Sequence, residues 1–172
     1  MDTIPATSPR WIDTAEVAKL VRKALKREFP TVKFSVRSSR YSGGSSVSIG
    51  WTDGPTDPQV TRFVHGFQGS RFDSMIDLQY CADSWYCDTH GAQSARTYGH
   101  SYDSENQPTN SRCCHQAELV HMGSSHVSTQ RTLSDELRAE LEAKVLVRNP
   151  GLDKRDYGFS YELQQLINAT AR

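Results

Sequence analysis

The chain has 172 residues, 36% of them hydrophobic, and twenty Lys and Arg against twenty Asp and Glu. That is one domain's worth of chain, long enough to bury a core without staples, and its zero formal charge argues against a protein that coats nucleic acid wholesale. No run of ~18 apolar residues is present, which excludes a membrane-spanning helix, and Met1-Asp2-Thr3-Ile4-Pro5 lacks the basic and apolar regions of a secretion signal, so the cytoplasm is the expected compartment.

Residues 1–11 carry Pro, Thr and Ser without periodicity and read as a flexible tail. Asp13 or Thr14 then caps a helix, with Glu16 near its positive end. Val17, Leu20, Val21, Ala24 and Leu25 form its apolar stripe, and Lys19, Arg22, Lys23, Lys26 and Arg27 take the other positions. Phe29-Pro30 stops it. Two strict period-2 runs follow, Val32–Arg37 and Ser46–Trp51, around a Gly43-Gly44 tip, which is the pattern of a β-hairpin. Asp53-Gly54-Pro55 ends the second strand. Thr56 or Asp57 caps a second helix, with Pro58 in its first turn and Val60, Phe63, Val64 and Phe67 on its buried side. Residues 12–80 therefore make a helix–hairpin–helix unit, with a weak further strand around Met75–Tyr80. Residues 81–115 are polar and irregular and read as a long loop or insertion. Residues 116–172 complete the domain: a strand pair, Leu119–Met122 and His126–Thr132, turning at Gly123-Ser124-Ser125, then a helix capped by Ser134 and a last helix from near Ser160. The expected class is α+β, the helix–hairpin–helix core being extended by an antiparallel strand pair and C-terminal helices.

Charge is balanced only in sum. Nine Lys and Arg stand against four Asp and Glu through Ser45, and eleven against sixteen beyond it. Such asymmetry points to a basic face, or to opposite lobes that attract one another.

Three sets of residues carry candidate chemistry. All four cysteines and four of the six histidines fall between residues 81 and 121. Thiols and imidazoles concentrated in this way suit zinc, which takes S and N ligands in tetrahedral sets. Cys81, Cys87, Cys113 and His115 form one ligand set that would staple the loop, although the spacing is no standard zinc ribbon. Free thiols and surface histidines are the plain alternative. A Cys–His nucleophile has the same ingredients, but nothing marks an oxyanion hole. The second set is basic. The helix cations can join Lys33, Arg37 and Arg40, and with the Ser-rich hairpin and Tyr41 could track phosphates and stack a base; a solvated helix face has the same composition. The third, Ser42–Ser46, is Gly-rich but lacks the Gly-Lys-Ser/Thr ending of a phosphate loop and opens a strand, so it reads as a hairpin turn.

Ala15-Glu16-Val17-Ala18, Phe29-Pro30, Lys33–Ser38, Tyr41–Ser46, Trp51–Pro55 and Phe72–Asp77 together resemble the large polyvalent protein associated domains, the twenty-ninth of that series. Such domains occur in phages, plasmids and conjugative elements. The resemblance implies a role in protecting incoming DNA or countering host defence, and it transfers no catalytic residues. Within its motifs the glycines serve turns, and Trp51 and Phe34 serve the core. Arg37, Ser38, Arg40 and Tyr41 ring the hairpin, where loops carry function.

The combined expectation is a non-enzymatic binding module. Its contact residues would be Lys19, Lys23, Lys26, Arg37, Ser38, Arg40 and Tyr41, and its partner nucleic acid or a nucleic-acid-bound host complex. A protein–protein inhibitor of a host defence complex, using the acidic second half, is the rival. A zinc- or thiol-dependent enzyme is the third reading, unsupported by any acid–base pair at a recognisable spacing.

Overall fold

The computed structural model describes residues 9–75, 77–95 and 113–171. Among them are four α-helices and nine strands, an α+β architecture. β1 (Arg10–Ile12) leads into α1 (Thr14–Glu28), where the Asp13 carboxylate caps the helix by accepting the Ala15 N–H at 3.1 Å. The apolar stripe of α1 is buried, save half-buried Leu20, and its five Lys and Arg are exposed. β2 (Ser35–Tyr41) and β3 (Gly44–Thr52) form the expected hairpin, in register from Ser35 opposite Gly50 to Tyr41 opposite Gly44. Its two-residue loop is Ser42-Gly43, and Gly43 sits at φ 92°, a conformation glycine takes freely. α2 (Asp57–Val64) follows Thr56, whose backbone N–H donates to Gln59 Oε1 at 2.9 Å, and a 3-10 turn, His65–Phe67, extends it.

The rest of the chain builds β4 (Ser70–Asp73), β5 (Leu78–Cys81), β6 (Asp83–Cys87), β7 (Gly91–Ser94), β8 (Glu118–Met122), β9 (His126–Thr132), α3 (Asp135–Arg148) and α4 (Tyr157–Ala169). Three sheets result, with strand orders β1-β8-β6-β7, β2-β3-β9 and β4-β5. The first two sheets, α1, α2 and the 3-10 turn enclose one core, which includes Ile12, Val21, Ile49, Trp51, Phe67 and Met122. α3 and α4 share a separate core of Leu137, Leu141, Val145, Phe159 and Leu166. No helix among the described residues is long and apolar enough to cross a membrane.

Four expectations are corrected. Arg10 and Trp11, read as part of a tail, belong to a strand that runs parallel to β8; residues 1–8 lie outside the described part. β8 and β9 do not pair with each other. β8 lies between β1 and β6, and β9 runs parallel to β3. The tripeptide between them cannot act as a hairpin turn because other elements hold it. Gly123 N–H donates to the Ile12 carbonyl at 2.7 Å. The Gly123 carbonyl accepts from Thr14 Oγ1 and Ser45 Oγ, each at 2.6 Å, and Ser124 Oγ donates to the Phe67 carbonyl at 2.6 Å. The 81–115 segment, expected to be irregular, contains the β6–β7 hairpin; residues 96–112 lie outside the described part. β6 shows no alternation because both of its faces are buried: Tyr86 joins the main core, while Trp85 and Cys87 join a third cluster with Ala95 and Ala117. Finally, the strand expected around Met75–Tyr80 is a hairpin, β4 against β5, with Met75 in its turn.

Candidate metal centre and basic surface

The β6–β7 connection is a three-residue loop, Asp88-Thr89-His90, closed by Gly91 at φ 78°. A type I turn followed by a left-handed residue is the usual geometry for this length. It folds His90 back onto Cys87: the His90 backbone N–H donates to Cys87 Sγ at 3.2 Å, and His90 Nδ1 lies 3.2 Å from the same sulfur. The chain returns at Cys113, whose sulfur is 3.3 Å from that of Cys87, and Cys114 Sγ lies 3.9 Å from Cys113 Sγ. One ligand atom from each of the four residues falls within 4.8 Å of every other. Zn–S bonds of about 2.3 Å and Zn–N bonds of about 2.0–2.1 Å would set tetrahedral edges of roughly 3.5–3.8 Å. Three thiols and one imidazole at this spacing can hold a metal ion.

The electrostatics favour a thiolate at one position. Burial opposes ionisation of Cys87, but hydrogen bonds from the His90 backbone, Cys113, the His90 ring and Cys114 outweigh it and bring the thiol down to about 6. Cys113 is pushed up to about 12 by burial and by the neighbouring sulfurs of Cys87 and Cys114. A metal ion would relieve this crowding by taking every sulfur as thiolate.

Two members of the expected ligand set are present and two are replaced. Cys87 and Cys113 come together. Cys81 is exposed on β5, in a different sheet, and His115 sits exposed in the turn after Cys114; neither joins the cluster. His90 and Cys114 take their places. The Cys87-x2-His90 spacing, followed by Gly91, was the available signal for His90, since ligand pairs with two residues between them across a tight turn recur in zinc sites.

The Cys/His cluster is linked to the basic helix through Asp88. Asp88, between two of the cluster residues, binds Lys23 Nζ at 2.9 Å and accepts the Tyr86 hydroxyl at 2.7 Å, while Arg27 donates to its backbone carbonyl. Lys23 and Tyr86 hold the Asp88 carboxyl below the usual range, and burial, with Asp88 beside it, raises the Tyr86 phenol. Lys19 and Lys26 flank this junction, exposed and without an ion pair among the described residues.

The other expected contact residues divide between two faces. Alternation along β2 places Arg37 and Tyr41 on the uncovered face of the sheet, and Ser38 and Arg40 on the side of buried Val36, toward α1. Arg40 pairs with Asp13 at the head of α1. Arg37 has no partner among the described residues, and Tyr41 is 51% exposed.

Neither a curated protein nor a solved structure matches the chain. A family model does, over residues 12–134, which takes in α1, the hairpin, the Cys/His cluster and all of the strands after β1. The chain belongs to the family of large polyvalent protein associated domain 29, a module associated with phages and other mobile elements.

Proposed function

We propose that this domain is a non-enzymatic nucleic-acid-binding module of a bacterial mobile genetic element. It acts in the host cytoplasm in DNA protection or counter-defence, with a structural zinc ion on Cys87, His90, Cys113 and Cys114. The basic face of α1 carries this reading. Five cations lie exposed along one helix, and Asp88 is the single carboxylate paired with them among the described residues. The zinc would fix the turn that holds Asp88 against Lys23 and Arg27, and so brace the helix face from one side.

Binding of a labelled oligonucleotide, followed against salt, tests the reading. Phosphate contacts give a log–log slope of about −0.7 to −0.9 per contact. The pair Lys19→Glu and Lys26→Glu should abolish binding while the melting temperature holds within about 5 °C, since exposed charges contribute little to stability. Wild-type affinity in that variant refutes the reading. For zinc, metal content on untagged protein should give one ion per chain. Cys87→Ser and His90→Ala should lose it, and Cys81→Ser and His115→Ala should keep it. Metal-free protein with reactive thiols throughout refutes the zinc.

A host defence protein as partner is the second reading, favoured by Phe72 and Leu78, which stand 62% and 50% exposed on opposite faces of the β4–β5 hairpin. Such binding would be lost in Phe72→Ser with Leu78→Ser and would vary little with salt.

A further inference from the structure

The face of the β2-β3-β9 sheet opposite the helices is uncovered, and it has a composition unlike the rest of the chain. Its outward positions carry hydroxyls, glycines, Arg37, Tyr41, His126 and Gln130, and no carboxylate. The chain has twenty Asp and Glu, so an acid-free sheet face has a definite electrostatic sign. At its centre is a depression of about 360 Å³, bordered by Ser35, Arg37, Ser48, Ser128 and Gln130.

Gly50 makes the depression. It is opposite Ser35 on one side and Gln130 on the other. Glycine inside a strand weakens it, and marks a bulge, a tight bend or a place where something approaches the backbone closely. Register runs unbroken through Gly50 in both ladders, so there is no bulge. Its backbone is not in the left-handed region, and a Cβ there would meet nothing nearer than the Gln130 carbonyl at 3.9 Å. Neither geometry nor packing requires glycine, and what its missing side chain provides is the space itself.

The donors around that space suit one chemistry. Arg37 offers a planar guanidinium with no partner among the described residues, and Gln130 and Ser35 are likewise unengaged. Ser48 and Ser128 hydroxyls pair with each other at 3.2 Å across the row that also contains Arg37. A guanidinium, several hydroxyls and a carboxamide, with no acid, complement an anionic oxygen cluster. We propose that the depression over Gly50 binds a backbone phosphate of a nucleic-acid strand laid across the β2-β3-β9 face, with Arg37 as the charged contact. This rests on the nucleic-acid reading above but uses a different surface, on the far side of the sheet from α1.

The test is anisotropy of a labelled single-stranded oligonucleotide against wild type, Gly50→Thr, Arg37→Gln, Arg37→Lys and the Lys19→Glu/Lys26→Glu pair. Gly50→Thr fills the depression without adding or removing charge, and threonine suits a strand, so its melting temperature should equal or exceed that of wild type. Gly50→Thr and Arg37→Gln should each weaken binding about ten-fold, the order expected for one charged phosphate contact, and Arg37→Gln should lower the salt slope by about one. Arg37→Lys should fall between. Wild-type affinity in both Gly50→Thr and Arg37→Gln, with binding lost in the α1 pair, overturns the sheet-face site and leaves the α1 reading intact. No oligonucleotide binding by wild type overturns both. Amide shifts at Ser48, Gly50 and Gln130 on titrating inorganic phosphate, with no response to the oligonucleotide, make the depression a small-anion site and also overturn the proposal.

Discussion

Replacing Arg131 with methionine should detach the C-terminal helices while leaving the main core folded. The half-buried Arg131 guanidinium donates to four backbone carbonyls: Asp53 at 3.0 Å, Gly54 at 3.1 Å, Ile167 at 2.8 Å and Thr170 at 2.9 Å. Two of these lie in the turn after β3, where Asp53 and Gly54 take φ 55° and 60°; the other two are at the end of α4, where helix carbonyls lack intrahelical partners. Hydrogen bonds from a charged donor contribute about 1.5–3 kcal/mol each when dry and less where water can replace them. Taking ~1 kcal/mol for each turn carbonyl and ~0.5 for each helix-end carbonyl gives about 3 kcal/mol, and methionine retains most of the side-chain packing. The 2.9 Å bond from Ser134 N–H to Asp53 Oδ1 survives as a second tether. Because α3 and α4 have their own core, the loss should be local. Amides of α4 should lose hydrogen-exchange protection while those of α1 and β3 keep theirs. A loss below ~1 kcal/mol, or an even loss of protection across all elements, would refute the clamp.

Other expectations follow from single contacts. Gly69→Ala should fail to fold or lose upwards of about 4 kcal/mol, because the added Cβ would lie 1.7 Å from the Met122 carbonyl oxygen; urea denaturation reads this. Asp88→Asn should flatten the acid limb of the stability curve. The folded carboxyl lies below its ordinary value, so its contribution is complete above an unfolded pKa of about 3.9 and fades as pH falls through the lower folded value. Thermal melts between neutral pH and that range should show wild type losing stability that the variant never had.

The parts of this fold that could be read in the sequence are those with a local period. α1 showed as a stripe with a cap, and the β2–β3 hairpin as two alternations around Gly43-Gly44. The parts that could not are set by distant partners. Asp83–Cys87 does not alternate because it is covered on both sides, and nothing local marks His126–Thr132 as the parallel neighbour of β3. Gly123-Ser124-Ser125 has the composition of a turn, yet carbonyls and hydroxyls from elsewhere in the chain fix it. The candidate ligand cluster was half legible. Cys87-x2-His90 has a recognisable spacing, whereas choosing Cys114 over His115 depends on how the bend and turn before β8 aim these side chains. The division of Arg37 and Tyr41 from Ser38 and Arg40 follows from period two alone and was fully available.

The hold on Gly123 has a consequence for how the chain reaches this structure. Its carbonyl bonds join residues 78 and 109 positions apart, and β3 waits for β9 across a comparable separation. Loops of that length must close before α1 and the first hairpin gain their final neighbours, which is the condition for slow folding. During synthesis the N-terminal third would leave the ribosome with an unfinished sheet edge and an open core. Folding would be completed only once residues near 130 emerge, so that the helix–hairpin–helix segment is no separable folding unit.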